Sequence, residues 1–327
     1  MALRWGCLLA GVALVAGGCG NDDSVEGGGV PTVMATTSIW SDVAANVACG
    51  GLAEVVTLIP PGGDPHAFQP SLSDRGNMES AALIVANGLA LEEGLEDTID
   101  AVEEAGTPVF RMAEHVKTIE YGSTTGHGGH DDHEEDSHED GHEEDGHGHA
   151  HSGDDPHVWF DPIRVADALP ALSQALATQA GLDAAALDEC VAAYRSELTA
   201  LDAEVEGILA PLHPENRLLV TNHDALGYFA DRYGFQVVGT VILSGSTLVE
   251  ASPAELQALV EVIDETGVAA IFSESTHSSE DIEALGLEAG VQVVSLDTGS
   301  LGPAGSSSGT YIGFLRTNAQ KIAEGLG

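Results

Sequence analysis

Residues 183–212, DAAALDECVAAYRSELTALDAEVEGILAPL, contain the clearest periodicity of the chain. Apolar side chains recur there at intervals of four and three residues: Leu187, Val191, Tyr194, Leu198, Leu201, Val205, Ile208 and Leu212. This spacing predicts one helix over residues 183–210, with Asp183 as its N-cap. At 1.5 Å per residue such a helix is about 40 Å long, enough to run across two lobes. We therefore expect it to link the two halves of the chain.

Short apolar strands alternate with helices on both sides of this helix. The predicted strands are 33–39, 55–59, 82–86 and 107–110 before it, and 217–221, 236–241, 269–272 and 291–296 after it. Such alternation is typical of parallel sheets covered by helices. The sequence thus predicts an α/β protein with an N-terminal lobe over residues 31–182 and a C-terminal lobe over residues 211–327. Each lobe is a set of βα repeats with a parallel-type sheet, and one long linking helix joins them.

Four polar residues stand where metal ligands are expected. His66 and His157 each end an Asp-Pro-His tripeptide, and proline stiffens the backbone before the imidazole. His223 and Asp297 directly follow predicted strands, and open α/β sheets bind ligands beyond strand ends. Three imidazoles and a carboxylate suit Zn²⁺, whereas Mn²⁺ and Mg²⁺ prefer more oxygen. We expect these four side chains to converge between the lobes, although each alone could be an ordinary buried or solvated residue.

Four aspartates lie beside these predicted ligands in the sequence: Asp64, Asp155, Asp161 and Asp224. A carboxylate that accepts the second ring N–H of a ligand histidine fixes its tautomer. Helix or turn capping is an equally good interpretation of all four.

A tract rich in histidine and acid occupies residues 122–155 of the N-terminal lobe. It holds eight of the 14 histidines of the chain: His127, His130, His133, His138, His142, His147, His149 and His151. A tract this polar cannot form a packed core, so we expect a loop. Its histidine density favours weak, multi-site metal collection over a merely solvated acidic linker.

The first 30 residues are typical of a targeting segment. Arg4 precedes a short apolar run, and small residues precede Cys19. The run is too short to span a bilayer, so we expect a signal peptide over residues 1–18. The ending Ala-Gly-Gly-Cys resembles a bacterial lipobox, which implies lipidation of Cys19 and a tether over residues 19–30. A plainly secreted protein is the alternative. In such an oxidising compartment the remaining cysteines, Cys49 and Cys190, are expected to form a disulfide.

The charge of the chain excludes some partners. With 10 Lys and Arg against 53 Asp and Glu, the net charge is −43. Nucleic acid and anionic membrane surfaces need clustered basic residues, so neither is an expected partner. The acidity favours cations, or serves solubility in a salty habitat. The sequence contains no Gly-rich phosphate fingerprint, which argues against nucleotide binding. Four ligands would also close the coordination shell of a zinc ion, which argues against zinc hydrolase chemistry.

Four phrases together carry a family resemblance over residues 33–326. They are PGGDPHAFQPS (61–71), DPHVWFDP (155–162), NHDALGYF (222–229) and Leu296-Asp297. With them the chain resembles the metal-binding solute-binding proteins of bacterial zinc and manganese ABC transporters, the cluster A-I or cluster 9 group. The resemblance implies two α/β lobes bridged by one helix. It also implies His66, His157, His223 and Asp297 as metal ligands.

The resemblance also implies a function without catalysis. Manganese members usually carry glutamate at the position of His223, and a His-rich loop before the second ligand is typical of zinc members. We therefore expect a monomeric, lipid-anchored, extracytoplasmic protein that captures Zn²⁺ and delivers it to a membrane permease. A manganese-binding member, or a surface zinc buffer or adhesin without transport, remains the alternative.

Overall fold

The computed structural model describes residues 29–122, 153–242, 245–249, 251–276 and 278–327. The predicted signal peptide, Cys19, nearly all of the tether and the eight histidines of the acidic tract lie outside the described residues. Within the described ranges, no helix has both the length and the apolar character needed to cross a membrane.

The first half of the chain forms a four-stranded parallel sheet with helices on its faces. Its strands are β1 (Thr32–Ala35), β2 (Glu54–Thr57), β3 (Leu83–Ala86) and β4 (Val109–Arg111), in the order β2-β1-β3-β4. The helices between them are α1 (Ser38–Val47), α2 (Leu72–Ser80) and α3 (Glu96–Glu104). After the tract, α4 (Pro162–Thr178) returns to this lobe, with Asp161 as its N-cap.

The second half repeats this topology. Its strands are β5 (Leu218–Thr221), β6 (Gln236–Thr240), β7 (Ala270–Glu274) and β8 (Gln292–Leu296), all parallel in the order β6-β5-β7-β8. Its helices are α6 (Gly227–Tyr233), α7 (Pro253–Thr266), α8 (Glu280–Ala289) and α9 (Tyr311–Leu326). The predicted α/β fold of two lobes is therefore confirmed.

The helix α5 (Ala184–Leu209) stands between the two halves, and Asp183 caps it by accepting a hydrogen bond from the Ala186 backbone N–H. It packs against α1 and α4 of the first half and against α9 of the second. Its buried side chains, apart from Cys190 and Asp202, belong to one core cluster that reaches into both lobes. Cys190 on this helix is bonded to Cys49, which follows α1, with the two Cα atoms 5.9 Å apart.

One predicted boundary differs from the structure for a local reason. The first strand ends at Ala35, not Ile39, because the Thr37 hydroxyl accepts a hydrogen bond from the Trp40 backbone N–H and begins α1.

Candidate metal centre

Three histidine side chains meet where the two lobes face each other. His157 Nε2 lies 3.4 Å from His66 Nε2 and 3.2 Å from His223 Nε2. All three residues are buried, with at most 3% of their surface exposed. In the described part of the chain they form the only group of three or more metal-ligating side chains whose ligand atoms lie within 4.8 Å of one another. The structure therefore brings three of the four predicted ligands together.

Both Asp-Pro-His tripeptides fold in the same way. The Asp64 carboxylate accepts a hydrogen bond from the His66 backbone N–H at 3.0 Å, and Asp155 accepts one from His157 at 2.9 Å. An aspartate that binds the backbone N–H two residues on forms a tight turn, which aims the following imidazole. His223 reaches the same point from just beyond the carboxyl end of β5.

Each imidazole has a carboxylate on the side away from the other two. Asp155 Oδ1 lies 2.7 Å from Nδ1 of His157, and Glu274 Oε1 lies 2.7 Å from Nδ1 of His223. Glu93 Oε1 lies 3.3 Å from Nδ1 of His66. A ring nitrogen facing a carboxylate carries the proton, so the opposite nitrogen keeps its lone pair. Three lone pairs thus face one another, an arrangement that a shared cation makes favourable.

The spacing of these nitrogens fits one small ion. Zn–N bonds of about 2.0–2.1 Å at the tetrahedral angle place two ligand nitrogens about 3.3 Å apart. The separations of 3.4 and 3.2 Å match that value. Besides the imidazoles, the small cavity between them is lined by Asp64, Pro65, Trp159, Thr276 and Gly299.

Burial and neighbouring charges shift the pKa values at this site in different directions. Burial holds the pKa of His157 well below its ordinary value, and the neighbouring imidazoles lower it further. Burial acts on His223 in the same sense, but the charge and hydrogen bond of Glu274 outweigh it and raise the pKa of His223. Burial raises the pKa of Asp155 to about 7.

The fourth predicted ligand, Asp297, lies outside this group. It directly follows β8 as expected, but its carboxylate lies 4.0 Å from Nζ of Lys321 on α9. Its backbone N–H donates to Asn318 Oδ1, also on α9. The next residue, Thr298, faces the site instead and donates its hydroxyl to Glu274. The Asp297 carboxylate is therefore not part of the group that the three histidines form.

Only one of the four aspartates expected to support a ligand ring does so. Asp155 binds Nδ1 of His157, whereas Asp161 caps α4 and Asp224 accepts from the Gly122 backbone N–H. Asp64 binds the backbone of His66 rather than its ring.

Sequence reasoning did not identify Glu93 and Glu274. Glu274 ends β7 and therefore stands at a strand end, the signal that singled out His223. Glu93 does not directly follow a strand and faces His66 across a turn, so the strand-end rule does not identify it.

The disulfide lies apart from the group of three histidines. Cys49 and Cys190 are bonded between the end of α1 and α5, and neither lines the cavity between the histidines. Cys19 and the eight histidines of the tract lie outside the described residues.

Comparison with known proteins points to one family. Residues 33–325 match the family described as ZnuA, zinc-uptake complex component A, periplasmic. The chain is 30% identical to the zinc-binding protein TroA of Treponema pallidum over 305 residues, which cover 91% of this chain and 89% of that protein. It is 28% identical to the manganese-binding lipoprotein MntA of Bacillus subtilis over 318 residues, 94% of each chain.

A solved structure supports the same assignment. The periplasmic zinc-binding protein TroA from Treponema pallidum superposes on this chain with a TM-score of 0.76 at 29% identity, and the match covers 91% of this chain and 99% of that one. A family match over almost the whole chain, a relative at this identity and a shared two-lobed fold agree with one another. The chain therefore belongs to the family of metal-binding solute-binding proteins of ABC transporters, which are binding proteins rather than enzymes.

Proposed function

We propose that this protein captures Zn²⁺ outside the cytoplasm and delivers it to the membrane permease of an ABC transporter. The observation that carries the proposal is the convergence of three buried imidazole nitrogens, each backed by a carboxylate on its other ring nitrogen. A set of three nitrogen donors favours zinc over the harder Mn²⁺, which prefers carboxylate and water oxygens.

His66, His157 and His223 are the proposed ligands. For Asp297 to reach the ion, its carboxylate would have to move away from Lys321. The proposal therefore places three histidines on the metal. Asp155, Glu93 and Glu274 hold the rings in the correct tautomer and supply negative charge that offsets the charge of the bound cation.

Manganese is the second candidate, because relatives named for manganese match the chain over the same length as those named for zinc. Calorimetric titration of the protein with Zn²⁺ and Mn²⁺ distinguishes the two. We expect one tight zinc site and much weaker manganese binding. The variant His223→Glu replaces a nitrogen donor by oxygen and should shift the preference toward manganese. Tighter binding of Mn²⁺ by the unmodified protein would refute the zinc assignment.

The eight-histidine tract is proposed to collect zinc weakly beside the tight site. Deletion of residues 126–153 should leave one tight zinc site and remove several weak ones. Unchanged stoichiometry in the same titration would show that the tract does not bind metal.

Lipid anchorage through Cys19 and the transport role complete the proposal. Several relatives are named as lipoproteins, which supports the anchor. Transport is tested in source cells that lack this gene, grown with a zinc chelator. Restoration of growth by the intact protein but not by His157→Ala is the expected result. A surface buffer or adhesin without transport would restore no growth in either form.

A further inference from the structure

A buried acid lies close to the metal site without touching it. Glu92 is fully buried, and each of its hydrogen-bond partners is a neutral donor. Its Oε1 accepts from the Thr36 hydroxyl at 2.7 Å and from the Asn87 backbone N–H at 2.7 Å. Its Oε2 accepts from the Gly88 backbone N–H at 3.3 Å. A buried carboxylate held only by neutral donors is unfavourable compared with an apolar side chain, so its presence calls for a reason.

The backbone that Glu92 binds is strained. Gly88, Leu89 and Ala90 have φ angles of 82°, 55° and 56°, and the last two are the only non-glycine residues with positive φ in the described ranges. Side chains rarely adopt this left-handed conformation, so the turn needs contacts that hold it. The Glu92 carboxylate provides them, because it binds the two N–H groups at the start of the turn.

This turn, residues 87–94 (NGLALEEG), contacts the chain at both histidines of the N-terminal lobe. At one end the Asn87 side chain donates to the backbone oxygen of Pro156, the residue before His157, at 2.9 Å. At the other end Glu93 faces Nδ1 of His66. The Gly94 backbone N–H donates to the backbone oxygen of His66 at 3.2 Å.

The turn packs closely on the segment that carries His66. A Cβ at Gly94 would lie 2.4 Å from the backbone oxygen of Phe68, so the two backbones are in direct contact. Asn87 has a further partner at its other end, because its Oδ1 accepts from the Trp40 indole N–H at 3.0 Å. The turn thus connects His66 to the segment of His157, although these two histidines are 91 residues apart in sequence.

We infer that Glu92 is a positioning residue for the metal site: it holds the 87–94 turn in its left-handed shape, and the turn sets the separation of His66 and His157. The inference rests on the proposed metal-binding function. It explains why the 3.4 Å between the two Nε2 atoms already matches two ligands of one ion. It assigns Glu92 no contact with the metal.

The test compares Glu92→Gln with a matched control, Glu104→Gln, which changes an exposed glutamate at the end of α3 in the same lobe. Glutamine has the same size, but its amide places an NH2 donor where one carboxylate oxygen stands, so one of the two backbone N–H groups loses its acceptor. We expect Glu92→Gln to weaken Zn²⁺ binding by about 10- to 100-fold, the usual effect of losing a group that orients a ligand. Glu104→Gln should bind as the unmodified protein does.

The visible spectrum of bound Co²⁺ separates positioning from stability. The d–d bands report ligand number and geometry, so Glu92→Gln should change their position and intensity. Unchanged bands and unchanged affinity would overturn the inference, and so would a lower melting temperature with unchanged bands. If Glu92→Gln does not fold, Thr36→Val, which removes one donor to Glu92, is tested in the same two assays. Weaker zinc binding together with altered bands supports the inference. If the affinity and the bands both stay unchanged, the inference is refuted. Failure of the unmodified protein to bind either metal would refute the metal site itself.

Discussion

The three imidazoles are held in position for a metal by groups behind them. Each ring has one nitrogen bound to a carboxylate and the other directed at a common point. Because the rings are already oriented, little side-chain entropy remains to be lost when an ion binds. Affinity at this site should therefore depend on the supporting carboxylates as well as on the ligands.

Glu274 tests that dependence most simply. It accepts hydrogen bonds from both Nδ1 and the backbone N–H of His223, and from the Thr298 hydroxyl. The variant Glu274→Gln keeps the shape but loses the charge and one acceptor, so zinc affinity should fall by about 10- to 100-fold. Competition titration with a zinc chelator measures the change. Glu265→Gln, at an exposed position of α7, is the control, and equal affinities of the two variants would contradict this role for Glu274.

Zinc binding should weaken as the pH falls. Only neutral imidazole binds a metal, so zinc must displace a proton from any protonated ligand. The pKa of His223 is raised, so this competition begins at a higher pH than for a free histidine, whereas His157, with its lowered pKa, stays neutral into acid. Below the pKa of His223, affinity should fall by about tenfold per pH unit for each proton displaced. Titrations between about pH 7.5 and 5 measure this, and a constant affinity over that range would exclude histidine ligation.

In the metal-free protein the same two histidines affect stability with opposite signs. His223 has a raised pKa in the folded state, so its contribution to stability is present at low pH and is lost as the pH rises through that pKa. His157 has a lowered pKa, so it destabilises the fold as the pH falls below the unfolded value of about 6.5.

Among the elements, α5 connects the two halves, and a disulfide attaches it to the first half. The bond between Cys49 and Cys190 closes a sequence separation of 141 residues and fixes α5 against the end of α1. A cross-link over so long a segment restricts the unfolded chain strongly. The double variant Cys49→Ser/Cys190→Ser should therefore lose about 2–4 kcal/mol of unfolding free energy in urea, with zinc affinity retained. Equal urea midpoints, or two free thiols in the unreduced denatured protein, would contradict the assignment.

The helices and strands were predictable from sequence because their signals are local. The apolar spacing of α5 and its Asp183 cap coincide with the observed helix. The strand-end rule likewise located His223, and the repeated Asp-Pro-His located His66 and His157. These features depend on residues close in sequence, where periodicity and capping chemistry decide the conformation.

The supporting contacts were not predictable because they depend on tertiary structure. Glu93 faces His66 across a turn. Asn87-Gly88 signals a turn there, but the positive φ angles of Leu89 and Ala90 and the contact with His66 are not readable from the residue types. The surroundings of Asp297 depend on how the segment after β8 meets α9. A strand end thus predicts where a side chain begins but not the side to which it points.

At the scale of the whole molecule, the two lobes are joined by contacts around the site as well as by α5. Hydrogen bonds cross between the lobes at Thr247–Asp64, Ser38–Ser300, Tyr228–Asp155 and Trp159–Thr298. The core cluster through α5 is also continuous between them. Metal binding should therefore produce a small tilt or local ordering rather than a wide hinge closure.

Small-angle scattering tests this expectation. The radius of gyration should be nearly the same for the metal-free and zinc-loaded protein, with His157→Ala as the control for effects of zinc elsewhere. A marked compaction on adding zinc, absent in His157→Ala, would show that the inter-lobe contacts open in the metal-free state.

The central claim is that one ion binds three histidines that come from both lobes. Anomalous diffraction at the zinc edge, from crystals soaked in Zn²⁺, tests it directly. The account predicts one strong peak between the lobes, about 2.0–2.1 Å from Nε2 of His66, His157 and His223. A peak elsewhere, or none at these three atoms, would contradict it.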